Sequence, residues 1–289
     1  MLTLSHSLEN TANMPKFHSS LNNDHVEFIN AQPLFYVASA PWAGDHINIS
    51  PKAHPSQTFS ILGPNTVAYL DATGHGCETI SHVYENGRVT LLFSSSGVNA
   101  KTLRLFCSGR VVEKWDQHFN ELRAKMASEN GDSVDITGAR AIIVLRIKKV
   151  QTSCGFSMLP GVEEGDATAF ADHDDEKDGR ETLEAWAAKK IERREMMDFQ
   201  KLNNAKSLDG LPGLKSARLA QDQNFAIEDT KVWFRRVSKQ WDAVLLGVGL
   251  GMFIMVLLSL VDFIHIEPSF LTHILNFQKR QMGDYHDEL

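Results

Sequence analysis

The stretch Thr102-Leu-Arg-Leu-Phe-Cys-Ser-Gly-Arg-Val-Val-Glu113 decides the fold of the N-terminal half. Leu103, Leu105, Cys107 and Val111 fall on one side, and Arg104, Ser108 and Arg110 on the other. A period of two is the pattern of a strand buried on one face. Working outward, the same alternation with β-branched and aromatic enrichment predicts strands over 34–40, 46–50, 58–62, 66–71, 88–95 and 139–152. In the last of these, Ile143, Leu145 and Ile147 alternate with Val144, Arg146 and Lys148. Short breakers separate the strands: Gly63-Pro64-Asn65, Asn86-Gly87 and Ser96-Gly97. Two helical stretches interrupt them, 78–85 and 115–127. Six or seven short strands with two small helices predict a mainly β fold, a small antiparallel barrel and not a doubly wound sheet.

Composition bounds the function. The 289 residues, 43% hydrophobic and 9% aromatic, suffice for one good core with appendages. A formal net charge of −7 argues against nucleic acid as a partner. Three cysteines, Cys77, Cys107 and Cys154, are widely spaced and form no CxxC pair, which suits a reducing compartment and excludes a zinc framework. No metal site is expected. The polar N-terminus shows no signal-peptide core, and residues 1–16 are expected to be a disordered extension, with Met14 a second possible start.

Beyond Pro160 the character changes. Residues 163–179 are acidic and glycine-rich without EF-hand spacing, so they read as a solvated loop. A helix is expected over 181–206, with Leu183, Trp186, Ala187 and Ile191 on one side. The domain reading is therefore a barrel over 17–160, an acidic loop and helical extension over 161–214, and a polar stem over 215–242. A transmembrane helix over 243–264 and a luminal tail over 265–289 complete it. The apolar run from Ala243 to Val261, at about 1.5 Å per residue, matches the roughly 30 Å hydrocarbon layer of a membrane. Gly247-Val-Gly-Leu-Gly251 fits GxxxG, a pattern that permits close helix pairing. Lys231, Arg235, Arg236 and Lys239 precede the run while Asp262, His265 and Glu267 follow it, so the N-terminal side is expected in the cytosol. His286-Asp287-Glu288-Leu289 reads as an address for the endoplasmic-reticulum retrieval receptor, and agrees with a luminal tail. The expectation is a single-pass protein of that membrane. Asn48-Ile-Ser50 is a glycosylation sequon that a cytosolic domain would leave unused.

The densest chemistry lies in His46-Ile-Asn-Ile-Ser-Pro-Lys52, Thr66-Val-Ala-Tyr-Leu-Asp71, Ala72-Thr-Gly-His-Gly76 and the helix beginning Cys77-Glu-Thr-Ile-Ser-His82. One strand ends in Ser-Pro-Lys, and another runs into a glycine-rich turn that opens a helix. Hydroxyls and free N–H groups at such a helix start, with a lysine nearby, suit a phosphate. Lys52 reads equally as a solvated strand-end lysine, and His82 as packing on a short helix.

The order of these pieces resembles the pyridoxamine 5′-phosphate oxidase-like family of FMN-binding split barrels, in its uncharacterised microbial and fungal branch. The elements that carry the resemblance are Phe35-Tyr-Val-Ala-Ser39, His46 to Lys52, Asn65-Thr-Val-Ala-Tyr-Leu-Asp71, Glu78-Thr-Ile-Ser-His82, Glu85-Asn-Gly-Arg88, Thr152-Ser-Cys-Gly-Phe156 and Ser207-Leu-Asp-Gly-Leu-Pro-Gly213. It implies a homodimer of six-stranded split barrels with FMN at the subunit interface. By position, Asn48, Ile49, Ser50 and Lys52 would line the flavin and its phosphate tail. Tyr69, Asp71 and Thr73 would come from the adjoining strand end, Thr79 and His82 from the helix start, and Arg88 from close by. Cys154-Gly155-Phe156 would lie near the ring or the neighbouring subunit.

Two departures qualify the resemblance. Well-studied oxidases of this superfamily carry Arg-Lys where this chain has Glu78-Thr79, and the vitamin B6 signature after Thr152 is missing. The vitamin B6 oxidase activity is therefore not carried over. The expected function is FMN-dependent redox chemistry on an unidentified small molecule, with no catalytic residue assigned. The alternative is a non-catalytic flavin- or haem-binding protein or scaffold on the same fold.

Overall fold

In the computed structural model the described residues are 15–95, 101–130, 134, 136–154 and 183–260. Residues 1–14 of the extension expected over 1–16, residues 155–156, the acidic stretch 163–179 and the tail with 286–289 lie outside them, whereas Lys16 already belongs to a strand. The chain divides into two compact units, Met1–Ala188 and Lys189–Leu289.

The first unit is built on strands β1 (Lys16–His18), β2 (Leu34–Ser39), β3 (Asn48–Ala53), β4 (Phe59–Gly63), β5 (Thr66–Ala72), β6 (Arg88–Ser94), β7 (Lys101–Glu113) and β8 (Ala139–Cys154). Helices α1 (Asn23–Asn30), α2 (Pro55–Thr58), α3 (Glu78–Asn86) and α4 (Phe119–Asn130) connect them. All pairs are antiparallel, in the order β3-β2-β6-β7-β8-β5-β4, with β1 added to the far end of β8. The mainly β antiparallel expectation holds.

The sheet curls into a barrel, and four rings show it. Phe35 on β2 and Phe59 on β4 stand near opposite ends of the hydrogen-bonded order, yet their ring centroids lie 5.4 Å apart. Phe93 stacks on Phe35 at 5.4 Å and meets Phe59 at 5.5 Å, while Tyr69 meets Phe35 at 5.9 Å. All four are buried, among Val37, Val67, Leu91, Leu103, Leu105, Ile143 and Leu145. These are the inward positions that the period-two alternation selects. A second apolar cluster, with Leu70, Val112, Phe119, Met126 and Ile142, packs α4 on the other face of β4, β5 and β8.

Four expectations need correction. The described residues hold eight strands, not six: β1 has three residues, too short to display a period, and is fixed only by its pairing with Val150–Thr152. Helix α1 was not anticipated, because its signal is a cap and not a stripe: Asn22 Oδ1 accepts from the His25 N–H at 2.9 Å and His25 Nδ1 accepts from the Asn22 N–H at 3.2 Å. The helix expected over 181–206 is two, α5 (Leu183–Glu192) and α6 (Met196–Asn203). Arg194, with φ +57°, breaks it, since a left-handed residue cannot continue a right-handed helix. Strand β3 also runs on through Pro51 to Ala53, which an edge strand tolerates.

Two glycines fit α3 onto the barrel. Gly87 closes the helix at φ +69°, its N–H reaching the His82 and Val83 carbonyls. At Gly109 on β7 a Cβ would lie 2.9 Å from Leu145 and 3.3 Å from Val83, so its absence lets α3 sit down on the sheet.

In the second unit α7 (Lys215–Leu219) and α8 (Phe225–Ser238) precede α9 (Trp241–Leu260). Helix α9 is long and apolar enough to cross a membrane, with a mean hydropathy of 2.2 over Trp241–Ser259, and its side chains are largely exposed.

Removing one ring should open the barrel. Phe35→Ala, which deprives three aromatic neighbours of their partner, should destabilise the protein by about 3–5 kcal/mol. The measurement is the denaturant midpoint of the purified full-length chain in detergent; a loss below about 1 kcal/mol would contradict closure through this ring.

Candidate functional site

Alternation along the edge strand β3 makes the site. Asn48, Ser50 and Lys52 turn to one face and are half-buried; Ile49, Pro51 and Ala53 face solvent. The Asn48 amide donates to Ser50 Oγ at 3.1 Å and to Thr79 Oγ1, in the first turn of α3, at 3.0 Å. Two residues further on, Lys52 Nζ donates to Asp71 Oδ1 at 2.9 Å. Since β3 and β5 are not neighbours in the sheet, this ion pair bridges the seam of the barrel.

Asp71, 2% exposed, is held from its other oxygen by Arg140 Nε at 2.8 Å. The same guanidinium donates through Nη2 to the Gly76 carbonyl at 2.7 Å, fixing the turn that opens α3. Arg140 can do both because it sits at a register shift in the β5–β8 ladder, between the partners of Asp71 and Ala72. Two cations on one carboxylate leave one positive charge in excess. The exposed Glu78 stands on the same turn, its carboxylate folded back over Gly76. Among the described residues no side chain caps the N-terminus of α3, so this acid stands where the helix dipole favours an anion.

Beside this row lies a groove of about 800 Å³. One wall is the β2–β3 connection, with Pro41, Gly44, His46, Ile47 and Asn48; the other is α3, with Glu78, Ser81, His82 and Glu85. The buried His82 is oriented by a hydrogen bond between Nδ1 and Ser39 Oγ at 2.9 Å. The connection is tied down at several points: Trp42 donates its N–H to the Glu85 carboxylate, and Asn86 Nδ2 donates to the Ala40 carbonyl at 2.9 Å. Arg88 lies over the Trp42 ring at 5.4 Å and donates to the Pro41 carbonyl at 3.3 Å.

The structure thus gathers Asn48, Ser50, Lys52, Asp71, Thr79 and His82 from the sequence-predicted set, with the Tyr69 ring 5.7 Å from Lys52 Nζ, and sets Ile49, Thr73 and Arg88 apart. Ile49 is 63% exposed on the outer face of β3. Tyr69 points into the barrel, its hydroxyl buried with no partner among the described residues; burial pushes this phenol far above its usual range, Asp71 adding to the shift and Arg140 opposing it. Thr73 staples a turn, donating from its N–H and its hydroxyl to the Gly138 carbonyl at 2.9 and 3.0 Å. Arg88 shapes the groove wall from outside. Sequence reasoning missed Arg140, Ser39, Trp42 and Glu85; Arg140 meets Asp71 across 69 positions, a separation that leaves no local signal.

A separate cavity of about 360 Å³ lies among β1, α1, β7 and β8, with Lys16, His18, His25 and Lys101 in its lining. Burial lowers the His25 pKa, the nearby His18 lowers it further, and Asp24 opposes both. Cys107 is buried and its thiol is pushed up to about 12, so it is inert, whereas Cys77 is exposed. The described residues contain no cluster of His, Cys, Asp and Glu able to hold a metal ion.

Comparison with known proteins finds no matching family model. One curated relative, the pyridoxamine 5′-phosphate oxidase family protein ustO of Aspergillus flavus, is 38% identical over 254 residues, covering 87% of this chain and 98% of the relative. Among solved structures, an FAD-binding protein of Mesorhizobium loti matches 49% of this chain and 99% of its own at TM-score 0.36 and 13% identity. An FMN-binding protein of Syntrophomonas wolfei matches 44% of this chain and 81% of its own at TM-score 0.32 and 10% identity. The haem storage protein HutZ of Vibrio cholerae matches 44% and 89% at TM-score 0.30 and 15% identity. At such TM-scores these likenesses carry no weight, and the sequence relative alone decides the family.

Asp71→Asn should strand two cations at the seam. Breaking a buried pair costs about 3–5 kcal/mol; because the Lys52 and Arg140 side chains reach solvent, about 2–3 kcal/mol is expected here. A double-mutant cycle with Lys52→Met should show strong non-additivity, and additive losses would mean the bridge contributes nothing.

Proposed function

The chain belongs to the pyridoxamine 5′-phosphate oxidase family, and from that premise we propose that its barrel binds a flavin, FMN in particular, and uses it for oxidoreduction of a small organic molecule. The observation that carries this reading is the groove beside β3, which joins apolar and hydrogen-bonding walls, with the Lys52–Asp71–Arg140 seam further along the same face of that strand. About 800 Å³ lies within the roughly 300–1,000 Å³ of small-molecule and cofactor sites. Pro41 and Ile47 offer apolar surface to a planar ring, Asn48 and His82 offer polar groups for ring heteroatoms and ribityl hydroxyls, and Ser50 and Thr79 hold the Asn48 amide from behind. Lys52 and Arg140, with one positive charge beyond what Asp71 neutralises, supply the field for a phosphate.

Bound there, a flavin would supply hydride or electron-pair transfer; the protein's share is orientation, hydrogen bonding and exclusion of water. His82, fixed by Ser39, is the buried imidazole of the groove, placed to hold a proton near such a ring. Ile47 is 79% exposed and Ile49 63%, on and beside an open strand edge, which suits a second copy of the chain closing the groove in a homodimer. The second reading, a protein that binds its ligand without turnover, is favoured by Glu78, whose carboxylate weakens the hold on a phosphate dianion.

The test separates ring from phosphate. Purified protein should carry flavin absorbance, with flavin released on denaturation. Glu78→Gln should tighten FMN about tenfold, equivalent to 1.4 kcal/mol, and leave riboflavin binding unchanged. Asn48→Ala should weaken both ligands by a similar factor. A chain that binds neither flavin in either redox form would end the proposal.

We also propose that α9 spans a membrane once, with the barrel on the cytosolic side. Its length and composition and the basic residues before it support this. A glycosylation acceptor engineered between Pro268 and Gly283 should be modified in cells, giving a mass shift removed by endoglycosidase; an unmodified acceptor would contradict the orientation.

A further inference from the structure

Helix α8 is built inside out. At 3.6 residues per turn, Trp233, Ala226, Val237, Thr230, Phe234 and Ile227 share about 120° of its circumference. Ile227, Trp233 and Phe234 are 53%, 58% and 62% exposed. The opposite side is the one that holds the unit together. Glu228 pairs with Lys206 at 3.4 Å, besides Lys231 of its own helix at 2.7 Å, and Asp229 accepts from Arg218 Nη2 at 3.0 Å. Arg235 donates to the Asp209 carbonyl at 3.1 Å, and Phe225 packs under the Arg218 guanidinium at 4.4 Å. A helix held by its charges with its aromatic residues turned to solvent is the reverse of ordinary packing.

We propose that the apolar face of α8 lies in the headgroup layer of the membrane that α9 spans, on the cytosolic side, so that the unit is held by an interfacial helix as well as by the span. This rests on the membrane reading of α9. Three features favour a lipid surface over a protein partner. The helix ends at Ser238 and α9 begins at Trp241, so any membrane containing the second passes within one turn of the first. A turn at Lys239 and Gln240 separates them, with Lys239 N–H bonded to the Arg236 carbonyl and Gln240 N–H to that of Val237, so α8 and α9 are two separate helices. Arg236 flanks the apolar arc on one side and Lys239 follows its last turn, basic residues complementary to anionic headgroups, while Lys231 on the other side is paired with Glu228. Trp233 and Trp241 then form an aromatic belt at one interface.

The experiment reconstitutes the full-length chain into phosphatidylcholine–phosphatidylserine vesicles, with and without brominated acyl chains that quench nearby tryptophan. Of the five tryptophans, Trp233 and Trp241 should be reached. Trp233→Ala should remove about half of the quenchable emission, and Trp233→Phe with Phe234→Trp, which keeps an indole on the same face, should restore it. Quenching unchanged by Trp233→Ala but reduced by Trp241→Ala would overturn the inference while leaving the span intact: the face would then be covered by protein, the barrel unit or a second copy. Quenching reduced by neither would overturn the span itself, and this inference with it.

Discussion

The contact between Phe35 and Phe59 is the constraint on which the rest of the first unit depends. These rings belong to strands that no hydrogen-bond ladder joins, so backbone pairing alone would leave an open, twisted sheet with two bare edges. Burying them together with Phe93 and Tyr69 brings the sheet ends round, because four aromatic side chains can leave water only by filling a closed interior. The hydroxyl of Tyr69 goes with them, unpartnered among the described residues; it is a local loss accepted for the ring's burial.

Closure in turn creates the polar seam. Once β3 and β5 face one another, Lys52 and Asp71 fall within reach, and Arg140 completes the set from β8. The exchange of stability between these layers is asymmetric. Apolar closure supplies the driving force, whereas the ion triad contributes little net free energy and chiefly fixes geometry: it specifies which carbonyl Arg140 holds and hence where α3 begins. The groove follows from that placement. Its walls are a loop and a helix whose positions are dictated by Arg140 at one end and by Arg88, Asn86 and Glu85 at the other.

How much of this could be read from the chain follows from range. Every long strand carries its own alternation, so β2 to β8 were legible, with boundaries off by a few residues where an edge strand accommodates Pro51. Strand β1 was not, since three residues hold no period and their pairing lies across the chain. The same distinction sorts the site. Asn48, Ser50 and Lys52 share a face by simple alternation, and Thr79 and His82 share one turn of helix. Tyr69 carries a polar atom on an inward position, and its ring size outweighed that atom. Arg140 and Ser39 act through partners far away in sequence, Asp71 and His82, and nothing local marks either residue.

Charge bookkeeping at the start of α3 is where fold and chemistry meet. A helix N-terminus and two cations form a ready anion site, but here Asp71 and Glu78 bring two negative charges of their own. The two acids differ in kind. Asp71 is buried and bound at both oxygens, so it is part of the frame and cannot move without the seam. Glu78 is exposed and sits at the end of a flexible side chain, so an incoming phosphate can displace it into water at small cost. The same residue types at Arg-Lys would attract a dianion from a distance; Glu78-Thr79 instead makes its entry conditional on moving a like charge aside. For any anionic ligand, a site framed this way would depend on how readily that one carboxylate swings clear, and the neutral hydrogen-bonding groups of Asn48, Ser50 and Thr79 would be unaffected by it.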